Sequence, residues 1–330
     1  MSVTAASPPH AAGIVDIFAR RHRLRWGELV PWVVAVAAYF VFPGYLALGG
    51  QVLATILFGL SLDLILGYAG IVTLGHAALF GTGAYAAGLL AAHGWGEPIS
   101  GLLIAGVAAG LVGLVSGAIV LRTQGLTLLM VTLVVASMMY EAANKAASIT
   151  GGSDGLSGMN VLPVLGFDFD LYGKTAYWYC LAVLFLCWLA ARQIVHSPFG
   201  RSLTGIRENE RRMHAIGSPV YRRRLTIYAI AAAMAGMSGA LVAQTTGFVG
   251  LDSLDPINRS GAILIMLILG GVGRLYGAFI GVPLYMILQD RFAAIDPVYW
   301  YFWIGLVLVL VVVFAPGGAF GLADRLRRRG

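Results

Sequence analysis

Charge is what this chain has least of. Only 11% of its 330 residues are Asp, Glu, Lys or Arg, against roughly a quarter in a soluble domain, and that shortage excludes an ordinary water-soluble fold. Cysteine is scarce as well. Cys180 and Cys187 stand seven apart on one expected helix, roughly 10 Å along its axis, so they cannot bridge each other and read as packing residues. No G-x-x-x-x-G-K-[ST] run is present, so the chain does not cradle nucleotide phosphates in the P-loop manner. No Cys/His pair has metal-ligand spacing and there is no nucleophile elbow. Nothing resembles an enzyme active site, and no cofactor is expected on this chain itself.

What remains is apolar. The composition is 59% hydrophobic, with 44 glycines and a mean hydropathy of +0.83, and apolar windows near 20 residues recur along most of the length. That pattern predicts an all-α polytopic membrane protein, in which small residues let helices approach closely. The segments are approximately 30–48, 51–68, 73–92, 100–121, 125–146, 176–195, 225–246, 258–273, 276–292 and 299–316. With both termini in the cytoplasm, eighteen of the 22 basic residues fall inside, and only Lys145, Lys174, Arg259 and Arg291 fall outside. The net charge of +7 therefore reads as membrane orientation and not as a nucleic-acid surface. Residues 1–29 look like a polar, basic cytoplasmic tail without a signal peptide, 30–316 form the transmembrane domain, and 317–330 form a basic cytoplasmic tail.

Several spans are short or glycine-interrupted, notably 258–273 and 276–292, and the stretch 67–88 is similarly broken. Such backbone is tolerated in a membrane where it is buried in protein or lines a cavity. The two regions share a glycine cluster followed by a small-residue helix, which is compatible with an internal repeat. Asp63 lies inside LFGLSLDLILGYAG, where an unpaired carboxylate is costly. Either Asp63 and His76 line or gate a polar path, or Asp63 hydrogen-bonds the broken backbone near 67–70 while His76 pairs with a neighbouring helix. Glu141 is either part of that path or simply interfacial. Gly106, Gly110, Gly113 and Gly117 share one helical face, which suits close helix packing. The loop 147–175 is the longest outside connection, equally readable as a docking cap or a plain connector.

The densest charge lies between two apolar stretches, in HSPFGRSLTGIRENERRMHAIGSPVYRRR (196–224). Its arginines put this loop in the cytoplasm. After Pro198 a short helix is expected from Arg201 to Ala215, ended by Gly217 and Pro219. An amphipathic helix lying on membrane lipid is one reading. The mixed charge of Glu208, Asn209 and Glu210 among the arginines better suits a helix seated in a groove of another protein.

Four separated stretches then carry a resemblance: LSLDLILGYAGIVTLGHAALFGTGAYAAGLL (60–90), TGGSDGLSG (150–158), SPFGRSLTGIRENERRMHAIG (197–217) and LGGVGRLYGAFIGVPL (269–284), with FAPGGAFGLADRLRRR (314–329) as a further likeness. The chain resembles the permease subunits of ATP-binding-cassette importers for branched-chain amino acids, in particular the LivM-like branch, over nearly all of 30–316. It departs at Met213–His214, where relatives often carry small residues. The resemblance implies a multi-pass subunit of a bacterial cytoplasmic (inner) membrane, working with cytoplasmic ATPases, a second homologous permease and an extracytoplasmic substrate-binding protein. ATP and Mg would be held by the partner subunits. It also implies that Gly200, Arg201, Ile206, Arg207, Glu208, Asn209, Glu210 and Gly217 contact the ATPase. The implied function is ATP-driven uptake of branched-chain or other small aliphatic amino acids. Urea or short amides are alternative cargoes, and a proton-coupled secondary transporter or a channel is an alternative mechanism.

Overall fold

The structure, a computed structural model, describes residues 28–164, 166–168, 173–314 and 318. The two expected tails, residues 315–316 of the last segment and part of the 147–175 loop lie outside the described residues. The described chain is all α-helical and carries two isolated β-bridges but no strand. Each of the ten apolar segments forms a helix: α1 (Val30–Val41), α2 (Leu46–Asp63), α3 (His76–Ala92), α4 (Pro98–Val120), α5 (Gly125–Lys145) and α6 (Lys174–His196), then, after two short helices α7 (Pro198–Glu208) and α8 (Glu210–Ala215), α9 (Val220–Thr246), α10 (Asn258–Gly270), α11 (Gly277–Ile295) and α12 (Trp300–Phe314). Six are long and apolar enough to cross a membrane alone, while α1, α3, α10 and α12 are shorter.

Several boundaries differ from the sequence reading, among them the start of α9 at Val220 and not 225. The first helix stops at Val41, not 48, because Pro43 cannot continue it, and α2 accordingly begins at Leu46. The helix expected as one piece over 201–215 is two. Asn209 is extended (φ −155°, ψ 96°), and its Oδ1 accepts from Arg212 N at 2.9 Å, so it caps a second helix where the first ends.

The core is built on α2 and α9. Every residue of α2 from Ile56 to Asp63 is buried, the mark of a helix surrounded by others. Glycines set the spacing. A Cβ on Gly83 of α3 would sit 2.1 Å from the Gly236 carbonyl oxygen of α9, and one on Gly236 would meet the Cβ of Ala109 in α4 at 2.3 Å. At the periphery α5 exposes Leu126, Met130, Val134 and Met138, one stripe at four-residue spacing. Cys180 and Cys187 are buried and free.

Contacts sort the connections onto two sides as ten crossings require. Arg207 reaches Gly67, and Gln124 donates to Glu210 at 3.2 Å, which gathers the α2–α3, α4–α5 and α6–α9 connections on one side. On the other, Leu162 N donates to Gly96 O at 2.8 Å and Leu156 bridges to Val249, so the 147–175 loop lies across the opposite ends of α3, α4 and α9.

Candidate coupling site

The arginine-rich loop is an ordered unit. Ser197 Oγ caps α7 by accepting from Gly200 N at 3.2 Å, with Pro198 preset at the first helical position. Gly200 is required there because a Cβ would lie 2.4 Å from the Ile194 and Val195 carbonyl oxygens. Leu203 and Ile206, each 1% exposed, seat α7 on the core. At the far end Gly217 turns left-handed (φ +77°), and Ser218 N donates to Met213 O at 3.0 Å to close α8.

Two charged residues face inward. Glu210 Oε1 accepts from Arg224 Nη1 at 3.0 Å and from Gln124 Nε2 at 3.2 Å, with His214 Nε2 at 3.8 Å, and so ties α8 to α9 and to the α4–α5 turn. Arg207 Nη1 donates to the carbonyl of Gly67. A π-helical turn over Leu64–Tyr68 continues α2 there, and its terminal carbonyls lack helical donors and carry the negative end of the helix dipole. Arg207 also packs on Gly70, whose φ is +69°. Arg207 nonetheless remains exposed, as are Arg201, Glu208, Asn209, Arg211, Arg212 and Ile216, Ile216 by 69%.

Asp63 belongs to the same node. Its Oδ1 accepts from Gly273 N at 2.7 Å, at the glycine turn between α10 and α11, while its Oδ2 is buried without a hydrogen bond. Gly67 and Gly273 approach so closely that a Cβ on Gly67 would lie 2.6 Å from Gly273 N. The two glycine-broken regions thus meet at Asp63. His76 stands apart from this node, its Nε2 2.8 Å from Ser61 Oγ and its ring stacked on Phe58. Ser61 Oγ donates to Phe58 O at 2.7 Å, so the imidazole supplies the proton of the His76–Ser61 bond. Glu141 is 3.9 Å from Lys145, both exposed, a surface pair of little energetic weight. Gly106, Gly110, Gly113 and Gly117 line the α4–α9 contact, where Cβ atoms would meet Met237, Ala233, Ala232 and Tyr228.

Sequence reasoning singled out Asp63 and Arg207 separately and missed that Gly67, Gly70 and Gly273 join them. A π-turn leaves no periodic signature, and the cluster of glycines around it was the only available sign. It also missed Arg259, which it set at the outer edge of a span.

The comparisons with known proteins agree with this architecture. The family model described as "Branched-chain amino acid transport system / permease component" matches residues 44–312. The chain is similar to the high-affinity branched-chain amino acid transport system permease protein LivM of Escherichia coli (strain K12), at 27% identity over 310 residues, covering 87% of this chain and 72% of that protein. It is similar at 26% to the LivM of Salmonella typhimurium. It is also 26% identical over 309 residues to a probable branched-chain amino acid transport permease protein LivM of Methanocaldococcus jannaschii, covering 78% of this chain and 88% of that one. No solved structure matches the chain significantly.

Proposed function

The chain belongs to the family of permease components of branched-chain amino acid transport systems, and on that premise we propose that it is the translocating subunit of an ATP-driven importer for branched-chain or other small aliphatic amino acids. The observation that carries the reading is the Arg207–Gly67 hydrogen bond. It joins a short, outward-facing loop helix to the point where two broken membrane segments meet. A force applied to α7 by a neighbouring protein would reach α2 and the α10–α11 turn directly. Such coupling requires the partner's states to bind the two conformations of this chain differently, which nucleotide binding and hydrolysis on separate ATPase subunits would supply.

In this reading the arginine-rich side faces the cytoplasm, as positive-inside bias favours, in the cytoplasmic membrane of the cell. The ATPases dock on the exposed face of Arg201, Glu208, Arg211 and Ile216. Gly200, Ile206 and Gly217 shape the loop from within, and Glu210 braces it. A companion permease would cover the exposed stripe of α5, and a substrate-binding protein would deliver cargo to the side where the 147–175 loop lies. Catalysis of ATP hydrolysis belongs to the partner chains.

The test is affinity purification of the tagged chain from its native host in mild detergent, with mass spectrometry and an ATP hydrolysis assay. Recovery of an ATPase and a second permease is the expected result. A lone chain without ATPase activity, reproduced after gentle crosslinking, would sink the importer reading.

A further inference from the structure

Arg259 is the second residue of α10, and its guanidinium carbon lies 4.7 Å from the centroid of the Phe80 ring. Phe80 packs in turn on Phe58, ring centroids 4.7 Å apart, and Phe58 sits near the middle of the continuous apolar stretch Pro43–Tyr68. The guanidinium is therefore held about halfway along a span. A cation at that depth costs on the order of 3 kcal/mol, and the first turn of a helix is the wrong end for positive charge.

Among the described residues no carboxylate comes within ion-pair distance of Arg259. The nearest acid in sequence, Asp255, is engaged elsewhere, its Oδ1 accepting from Ile257 N and Asn258 N and its Oδ2 from Asn258 Nδ2. Asp252 lies on the 3-10 turn Leu251–Leu254, which packs against α3 at Gly81, the residue after Phe80. Tyr85, further along α3, shares a buried cluster with Leu254 of that turn, and its buried hydroxyl has no hydrogen-bond partner. The start of α3 converges on the same place, because Ala77 N in its first turn donates to Ser260 Oγ at 2.9 Å. The first turns of α3 and α10 thus lie side by side, and helix N-termini favour an anionic group.

A guanidinium without an ion-pair partner, a carboxylate on the turn packed against α3 and an unpartnered α3 hydroxyl are groups complementary to the head of an α-amino acid. We propose that Arg259 is the carboxylate-binding residue of the transport path, with Asp252 facing the ammonium group and the Tyr85 hydroxyl adding a hydrogen bond. The guanidinium fork suits a carboxylate in two parallel hydrogen bonds. The assignment rests on the reading of the chain as an amino-acid importer.

The test uses the whole complex, with ATPases, companion permease and binding protein, in proteoliposomes, and measures ATP-driven uptake of radiolabelled leucine. Wild-type complex that moves none of leucine, isoleucine or valine overturns the amino-acid reading, and the zwitterion site with it. If wild type moves leucine, the site is tested alone. Arg259→Gln is then expected to lower uptake at least tenfold, with co-purification and binding-protein-stimulated ATP hydrolysis kept. Arg259→Lys should recover part of the loss and Asp252→Asn should cost less. Uptake by Arg259→Gln within twofold of wild type overturns the site. Should that variant fail to assemble, Arg259→Lys decides, since it keeps the charge and loses the fork: a drop of threefold or more supports the site, and unchanged uptake overturns it.

Discussion

Arg207 hydrogen-bonds the carbonyl of Gly67, a residue 140 positions earlier in the chain. The bond crosses from a loop helix to the end of α2, whose second half is wholly buried. It sits beside the Asp63–Gly273 contact, so one arginine touches the junction of two broken spans.

Removing that arginine should separate docking from movement. Arg207→Ala keeps Arg201, Glu208 and the exposed residues of α8, so co-purification with the ATPase is expected to persist while ATP-driven uptake falls at least tenfold. Uptake equal to wild type in proteoliposomes would show that force does not travel through this contact.

Asp63 discriminates between mechanisms. Asn at this position keeps an oxygen that can accept from Gly273 N but cannot carry charge. Under the importer reading Asp63→Asn should retain most uptake, whereas Asp63→Leu leaves a buried N–H unpaired and costs about 1–3 kcal/mol, visible as a lowered melting temperature in detergent. Abolished uptake in Asp63→Asn, with normal assembly and melting, would favour proton coupling instead.

Glu208 and Glu210 are neighbours in sequence and opposites in role. Glu208 is exposed, while Glu210 is held by Arg224 and Gln124. Glu208→Lys should weaken ATPase co-purification without destabilising the permease. Glu210→Lys sets a cation against Arg224 and should loosen the loop itself, seen as faster proteolysis within 196–224. Identical behaviour of the two variants in both assays would contradict this division.

The glycine face of α4 grades its own substitutions. A Cβ at Gly110 would be 3.3 Å from Ala233, whereas one at Gly113 would be 2.3 Å from Ala232. Gly110→Ala should therefore be near neutral, helped by better helix propensity, and Gly113→Ala should cost about 1–3 kcal/mol through overpacking. Thermal unfolding of the two purified variants checks the order.

Much of this protein was legible from composition and spacing. Long apolar runs have few structural outcomes in a bilayer, since each backbone polar group must be satisfied internally. The helical segments, the arginine-rich side and the glycine face of α4 follow from that constraint and from the helical repeat. Pro43 and Asn209 moved boundaries by a few residues, because proline blocks a helix from continuing and an asparagine side chain can start a new one.

The rest was decided by contacts between distant segments. Sequence marked Asp63 and Arg207 as residues of interest, but only the folded chain brings Gly273 to one and Gly67 to the other. The same holds for Glu210, which the sequence groups with the docking face and the fold turns toward Arg224. It holds for Arg259, which hydropathy places at a membrane edge and the start of α10 sets over Phe80. The bilayer constrains each apolar segment separately, so it can be read along the chain. Which segments cross, and which side chains then meet, depends on close packing between segments, and a one-dimensional pattern does not record it.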